Sequence, residues 1–245
     1  MLMRKLRGRR VRPKIKIKSS KDIAKLAESG QLVADCFALL HDSIQPGVRL
    51  RELDRRVEAL ILERGAKPLY KGYRGNPPER PPFPGVICAA VNNEICHGFP
   101  DNRRLRKGDI VGIDIGLLYN GWCGDACVTF PVGEISPKAQ RLLRVTKEAM
   151  YAGIAAAQPG NYMADVGKAI EQHANKFGYS VVEMWGGHGI GRDLHEAPSV
   201  PHTDPRGEGA PIRIRPGMVF TVEPMVNIGG QECHTIQDGW TVLTN

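Results

Sequence analysis

A chain of 245 residues with 42% hydrophobic content is long enough to bury one sizeable core. No run approaches the ~20 apolar residues of a membrane helix, and the N-terminus lacks the apolar centre of a secretory signal. The six cysteines (Cys36, Cys88, Cys96, Cys123, Cys127, Cys233) form no CxxC pair, so reduced thiols and a cytoplasmic location are expected. The net charge of +8 is concentrated at one end: residues 1–18 hold nine Lys or Arg (Arg4, Lys5, Arg7, Arg9, Arg10, Arg12, Lys14, Lys16, Lys18) and no acid, leaving the remainder at −1. Residues 1–16 are therefore expected to form a basic, disordered arm and residues 17–245 one folded domain. Such an arm suits contact with a ribosome or RNA through phosphates. A solvated tail and an organelle transit peptide are the competing readings.

The spacing of Ile23, Leu26, Ala27, Val33, Ala34, Phe37 and Leu40 predicts a first helix over Ser20–Ser43, stopped by Gln45-Pro46-Gly47. A second helix presents Leu53, Val57, Leu60 and Ile61 on one face and ends at Gly65. The proline-rich stretch Gly72–Pro84 reads as a loop. Strands are predicted at Val86–Val91, Ile95–Phe99, Asp109–Leu118 and Trp122–Phe130, the last two joined by a turn at Asn120-Gly121. Ser136, followed by Pro137 at the first helical position, opens a third helix. Gln158-Pro159-Gly160 stops it, and a further helix ends at Gly178. Ser180–Met184, Met218–Val222 and a pair around Asp238-Gly239 complete the strands. The Gln-Pro-Gly stops and the terminal glycines recur at an offset of 113 positions, which also maps Leu53 onto Val166 and Val57 onto Ile170. The prediction is an α+β fold of two pseudo-symmetric helix-helix-strand halves around a central antiparallel sheet, with a site at the seam.

Asp is disfavoured inside strands, yet Asp114 and Asp125 each sit in one. With a two-residue turn at Asn120-Gly121, Tyr119 pairs with Trp122 and Asp114 falls opposite Cys127, diagonal to Asp125. Alternation places both carboxylates on one face; Val111, Ile113, Ile115 and Leu117 share the other with Val128 and Phe130. Two adjacent carboxylates call for a cation or a raised pKa. His188 lies in Gly186-Gly187-His188-Gly189-Ile190-Gly191, whose spacing does not match a dinucleotide loop. Glu223 closes the predicted strand Val219–Val222 ahead of Pro224. Three carboxylates and an imidazole suit Mn, Fe, Co or Zn and metal-assisted hydrolysis.

The order Asp114, Asp125, Gly-His188-Gly-Ile-Gly, then Phe-Thr-Val-Glu223-Pro-Met resembles the type I methionine aminopeptidases of the pita-bread fold, peptidase family M24. Val91-Asn-Asn-Glu-Ile-Cys-His97-Gly and Leu194-His195-Glu196 are similar to the same family. The resemblance implies a metal-dependent hydrolase that removes the initiator methionine from nascent polypeptide N-termini, using two divalent ions. It implies Asp114, Asp125, His188 and Glu223 as metal ligands, with Glu223 also moving the proton of the attacking water. His195 would stabilise the oxyanion and His97 would position the substrate. Cys88, Phe83, Leu194 and Trp240 would line the methionine pocket. Family members follow the Asp238–Thr241 segment with a strand carrying a Glu-His-Thr motif whose glutamate bridges both metals. Here the sequence ends at Asn245, and Glu232-Cys233-His234-Thr235 precedes the turn, where strand register sets Glu232 against that role. The corresponding expectation is a C-terminally short catalytic domain lacking a fifth ligand, with one tightly held ion and weakened activity. The alternatives are a noncatalytic peptide- or protein-binding member of the fold and a proline-specific peptidase.

Overall fold

The computed structural model describes residues 14–75, 79–207 and 211–245. Most of the basic arm, residues 1–13, therefore lies outside the described residues, as do positions 76–78 of the proline-rich stretch.

Helix α1 (Ser20–His41) starts at a capping box in which Ser19 and Asp22 satisfy each other's backbone N–H groups. It is followed by α2 (Leu50–Glu63) and β1 (Lys67–Pro68), then by β2 (Ile87–Val91), β3 (Glu94–Cys96), β4 (Ile110–Tyr119) and β5 (Trp122–Pro131). Helix α3 (Pro137–Ala156) opens on Ser136, whose side chain accepts from the Ala139 N–H, and α4 (Met163–Lys176) follows. The short strands β6 (Ser180–Val181), β7 (Gly187–Gly189), β8 (Glu196–Val200), β9 (Val226–Asn227), β10 (Cys233–Thr235) and β11 (Val242–Thr244) finish the chain. Among the described residues no helix is long and apolar enough to cross a membrane.

The internal repeat is physical. Shifting the bounds of α2 and β1 by 113 positions gives those of α4 and β6. Gly47 and Gly160 take φ of +96° and +100°, and Gly65 and Gly178 take +69° and +75°, the left-handed conformation that ends a helix at low steric cost. The mapped pairs Leu53/Val166 and Val57/Ile170 are all fully buried, but in separate cores. One core joins α1 and α2 to the apolar face of β2 and β4; the other gathers α3, α4, Tyr179, Val181 and Val200.

The antiparallel pair β4–β5 has the predicted register, Tyr119 opposite Trp122 and Asp114 opposite Cys127. On its other edge β4 pairs with β2 and, further along, β1, so Cys88, Asp114 and Cys127 form a row across three strands. Val111, Ile113, Ile115 and Leu117 are fully buried. Val128 is 38% exposed, because it reaches the rim near Phe37 and His41 rather than the centre of the layer.

One predicted strand fails in the second half. Met218–Val222 is not a strand: it makes one isolated bridge, Phe220 to Gly189, and the hydroxyl of Thr221 takes the place of a ladder partner by accepting from the His188 N–H. The glycines around His188 allow close backbone approach. They let β7 pair closely with β8, since a Cβ at Gly189 would lie 2.3 Å from the Ala197 carbonyl and one at Gly187 would lie 2.3 Å from the Thr221 carbonyl.

Candidate metal centre

The β4–β5 hairpin brings Asp114 and Asp125 to one face, and the β7–β8 hairpin brings His188 opposite them. His188 Nε2 lies 3.4 Å from Asp125 Oδ2 and 3.5 Å from Glu223 Oε1. Glu223 sits just beyond the irregular segment, half-buried, and is anchored by a hydrogen bond from the Thr221 hydroxyl. The four residues singled out as ligands thus converge. Glu232 does not join them: it is exposed beside the β10–β11 hairpin.

Tyr70, which sequence reasoning missed, stands between the aspartates. Its hydroxyl lies 2.8 Å from Asp114 Oδ1 and 2.8 Å from Asp125 Oδ1. A phenol has one proton to share between the two acceptors, so these contacts relieve the carboxylates' mutual repulsion only in part. Consistent with this, burial and then the neighbouring Asp125 charge raise the Asp114 pKa well above the usual carboxylate range, against the opposing Tyr70 hydrogen bond. Burial also raises Glu223. His188 is raised although burial opposes it, because it hydrogen-bonds Asp125 and faces Glu223. The sequence signal for Tyr70 was Gly116, on the same strand face as Asp114: a Cβ there would lie 2.6 Å from the Tyr70 ring.

This donor set fits a divalent cation. Three carboxylates and an imidazole share a small space, and among the described residues the Tyr70 and Thr221 hydroxyls partly relieve their repulsion. Among the described residues no three His, Cys, Asp or Glu side chains are already arranged to hold an ion. Their donor atoms are occupied with Tyr70 and with one another, and an ion would take the place of those contacts.

The flanking groups gather around this centre. The His195 ring lies 4.3 Å from that of His188, and burial followed by the His188 charge lowers its pKa. His97, at φ +55°, stands edge-on to Trp185 at 6.2 Å and Trp240 at 6.1 Å; burial and then Arg80 depress its pKa to about 4, keeping the ring neutral at pH 7. Phe83, Cys88 and Trp240 form a small buried apolar cluster with Tyr70 and Phe99 packed against it. The proline-rich segment is therefore no passive insertion: it seats Phe83 5.3 Å from Trp240, and the Pro81 carbonyl accepts from the Trp240 indole N–H. Leu194 is half-buried and lies outside this cluster.

The loop carrying His195 is braced by the residues that begin the described chain. Lys18 Nζ lies 2.7 Å from Glu196 Oε2, both side chains nearly buried, and Lys16 reaches Asp193 and Glu196. Glu196 also accepts from the backbone N–H groups of Arg192 and Asp193. Lys16 and Lys18, counted with the basic arm on charge alone, are thus tied to the body.

Comparison with known proteins places this geometry. Residues 24–243 match the model of metallopeptidase family M24. The chain is 42% identical to methionine aminopeptidase 1 of Bacillus subtilis, covering 93% of this chain and 88% of that protein. It is 39% identical to the Escherichia coli methionine aminopeptidase, over 94% and 84%. The crystal structure of methionine aminopeptidase from Rickettsia prowazekii superposes with a TM-score of 0.88 at 38% identity, covering 94% and 90%. A prolidase from Pyrococcus furiosus shares the fold at a TM-score of 0.70 and 24% identity, covering 85% and 57%.

Proposed function

The chain belongs to metallopeptidase family M24, with the pita-bread fold, and is a metal-dependent aminopeptidase that removes N-terminal methionine; from that premise we propose the roles of its residues. The observation that carries the proposal is the convergence of Asp114, Asp125, His188 and Glu223 beside the apolar cluster of Phe83, Cys88 and Trp240.

Asp114, Asp125, His188 and Glu223 would hold the divalent metal, which when bound would supply an acidified water and polarise the scissile carbonyl. Asp125, His188 and Glu223 would hold a first ion, since the Asp125 and Glu223 oxygens already lie within 3.5 Å of His188 Nε2. Asp114, whose carboxylate is engaged by the Tyr70 hydroxyl, would contribute to a second position. The substrate's methionine side chain packs against Phe83, Cys88 and Trp240, an apolar cluster whose Trp240 ring is backed by the Arg80 guanidinium at 4.5 Å. Glu223 accepts a proton from the attacking water and returns it to the leaving amine as the C–N bond breaks. His195 donates to the oxygen of the developing tetrahedral carbon, and neutral His97 holds the scissile amide.

Co, Mn, Fe and Zn are the candidate ions. Support for a nascent-chain substrate comes from the relatives' activity, and the seven basic residues ahead of Lys16 favour attachment to ribosomal RNA in the cytoplasm. Salt-sensitive co-sedimentation with ribosomes tests the latter. The central test compares release from peptides with Met-Ala and Ala-Pro N-termini, with each metal added and then chelated. Metal-dependent release of methionine is expected. Release that is indifferent to chelation, or confined to the proline peptide, refutes the assignment.

A further inference from the structure

His202 is among the most deeply buried polar residues of the molecule, 2% exposed, and the chemistry derived above does not use it. Its Nε2 accepts two backbone hydrogen bonds, from the Gly187 N–H at 3.1 Å and the Glu223 N–H at 3.2 Å. Both partners are donors, so Nε2 carries no proton and the ring's hydrogen is on Nδ1, which is buried without a partner. An imidazole serving only as core filler has no reason to accept twice on one nitrogen and leave the other wasted.

The two amides are not arbitrary. Gly187 immediately precedes His188, and Glu223 is itself a ligand in the reading proposed above. They come from different segments, β7 and the irregular stretch after Phe220, joined to each other by the Thr221 N–H to His188 carbonyl bond and by the Thr221 hydroxyl. The ring hangs from a rigid support: Cβ atoms built at Gly167 on α4 would lie 2.7 Å from the Pro201 carbonyl and 2.3 Å from the Thr203 carbonyl, so α4 clamps the backbone on both sides of His202. Where a regular ladder is missing, one fixed acceptor sets the separation of two ligand-bearing backbones.

We propose that His202 is a positioning residue for the metal centre, its Nε2 clipping the Gly187 and Glu223 amides so that His188 and Glu223 face a common ion. The proposal rests on the assignment of His188 and Glu223 as ligands. Removing the acceptor should loosen both amides and weaken metal binding by about 10- to 100-fold, as loss of groups that orient ligands does. Glutamine, whose Oε1 extends to the level of Nε2, restores the acceptor; asparagine, whose Oδ1 matches Nδ1, does not.

The test uses the full chain, freed of metal by chelation, titrated calorimetrically with Co²⁺, alongside amide hydrogen exchange at positions 187 and 223. His202→Leu and His202→Asn are expected to bind Co²⁺ more weakly and to exchange both amides faster, with His202→Gln close to the parent in both. Val200→Ala, a truncation in the neighbouring core, should lower thermal stability without moving the affinity. If His202→Leu does not fold, the contrast between Asn and Gln carries the same decision. Parent-like affinity and exchange in the folded Leu or Asn variants overturns the proposal, as does an equal loss of affinity in Val200→Ala. His188→Ala and Asp125→Asn separate the two claims: unchanged Co²⁺ binding there refutes the ligand assignment itself, whereas slow amide exchange in His202→Leu refutes the clip alone.

Discussion

Replacing Lys18 by Met tests whether the residues leading into α1 hold the His195 loop in place. Lys18 and Glu196 are buried to 4% and 3% side-chain exposure and meet at 2.7 Å, and Gly191 is tightly spaced against both, with a Cβ there lying 2.7 Å from Glu196 Oε1 and 2.8 Å from Lys18 Cε. Breaking a buried pair by removing one partner costs about 3–5 kcal/mol, mostly through the stranded charge. Glu196 would keep Lys16 and two backbone N–H donors, so the low end, about 3 kcal/mol, is expected. In a chain of this size that corresponds to a Tm fall of roughly 6–12 °C. The pH dependence has a definite sign. Burial opposes ionisation of Glu196, but its hydrogen bonds from Lys18 and Lys16 prevail and hold its pKa below the ordinary value of 4.5. Its contribution is therefore complete above that unfolded value and is lost as pH falls through the lower folded one. Urea titrations of the chelated protein followed by circular dichroism should show a gap between Lys18→Met and the parent that is full at pH 7 and narrows below about pH 4. A loss under ~1 kcal/mol at pH 7, or a gap that ignores acidification, refutes the brace.

Asp125→Asn should weaken the first metal by roughly 100-fold or more and abolish chelator-sensitive release of methionine; calorimetric binding at parental affinity contradicts its place as ligand. Tyr70→Phe removes the hydroxyl that competes for both carboxylates. It should lower the stability of the chelated protein by about 1–3 kcal/mol while tightening Co²⁺ binding about tenfold, and weaker binding would instead mark Tyr70 as a ligand. Gly116→Ala drives a methyl into the Tyr70 ring at 2.6 Å and should cost about 1–3 kcal/mol, relieved when combined with Tyr70→Ala; a destabilisation that persists in the double variant points to backbone rather than ring contact.

The two halves of the site differed in how far the sequence revealed them, and the reason is physical. In the first half the information is periodic. A two-residue turn fixes strand register, register fixes faces, and Asp114 and Asp125 follow without any tertiary knowledge. In the second half, Gly187, His188, Thr221 and Glu223 are held by side-chain acceptors and carbonyl contacts that leave no period in the chain. The strand predicted at Met218–Val222 is reduced to one bridge with two backbone bonds, Ile190 N–H to Val219 and Thr221 N–H to His188, supplemented by the Thr221 hydroxyl and, just beyond it, the His202 imidazole, neither of which hydropathy registers. Tyr70 was hidden for a related reason: it lies in a segment without pattern, and only the glycine that accommodates its ring betrayed it. A hairpin tolerates sequence change as long as alternation survives, whereas the aperiodic half depends on individual atoms at His202 and Thr221. Substitutions that preserve hydropathy should therefore spare the Asp114–Asp125 side of the centre and damage the His188–Glu223 side. This asymmetry follows from the way each backbone is held, not from any difference in the ligands themselves.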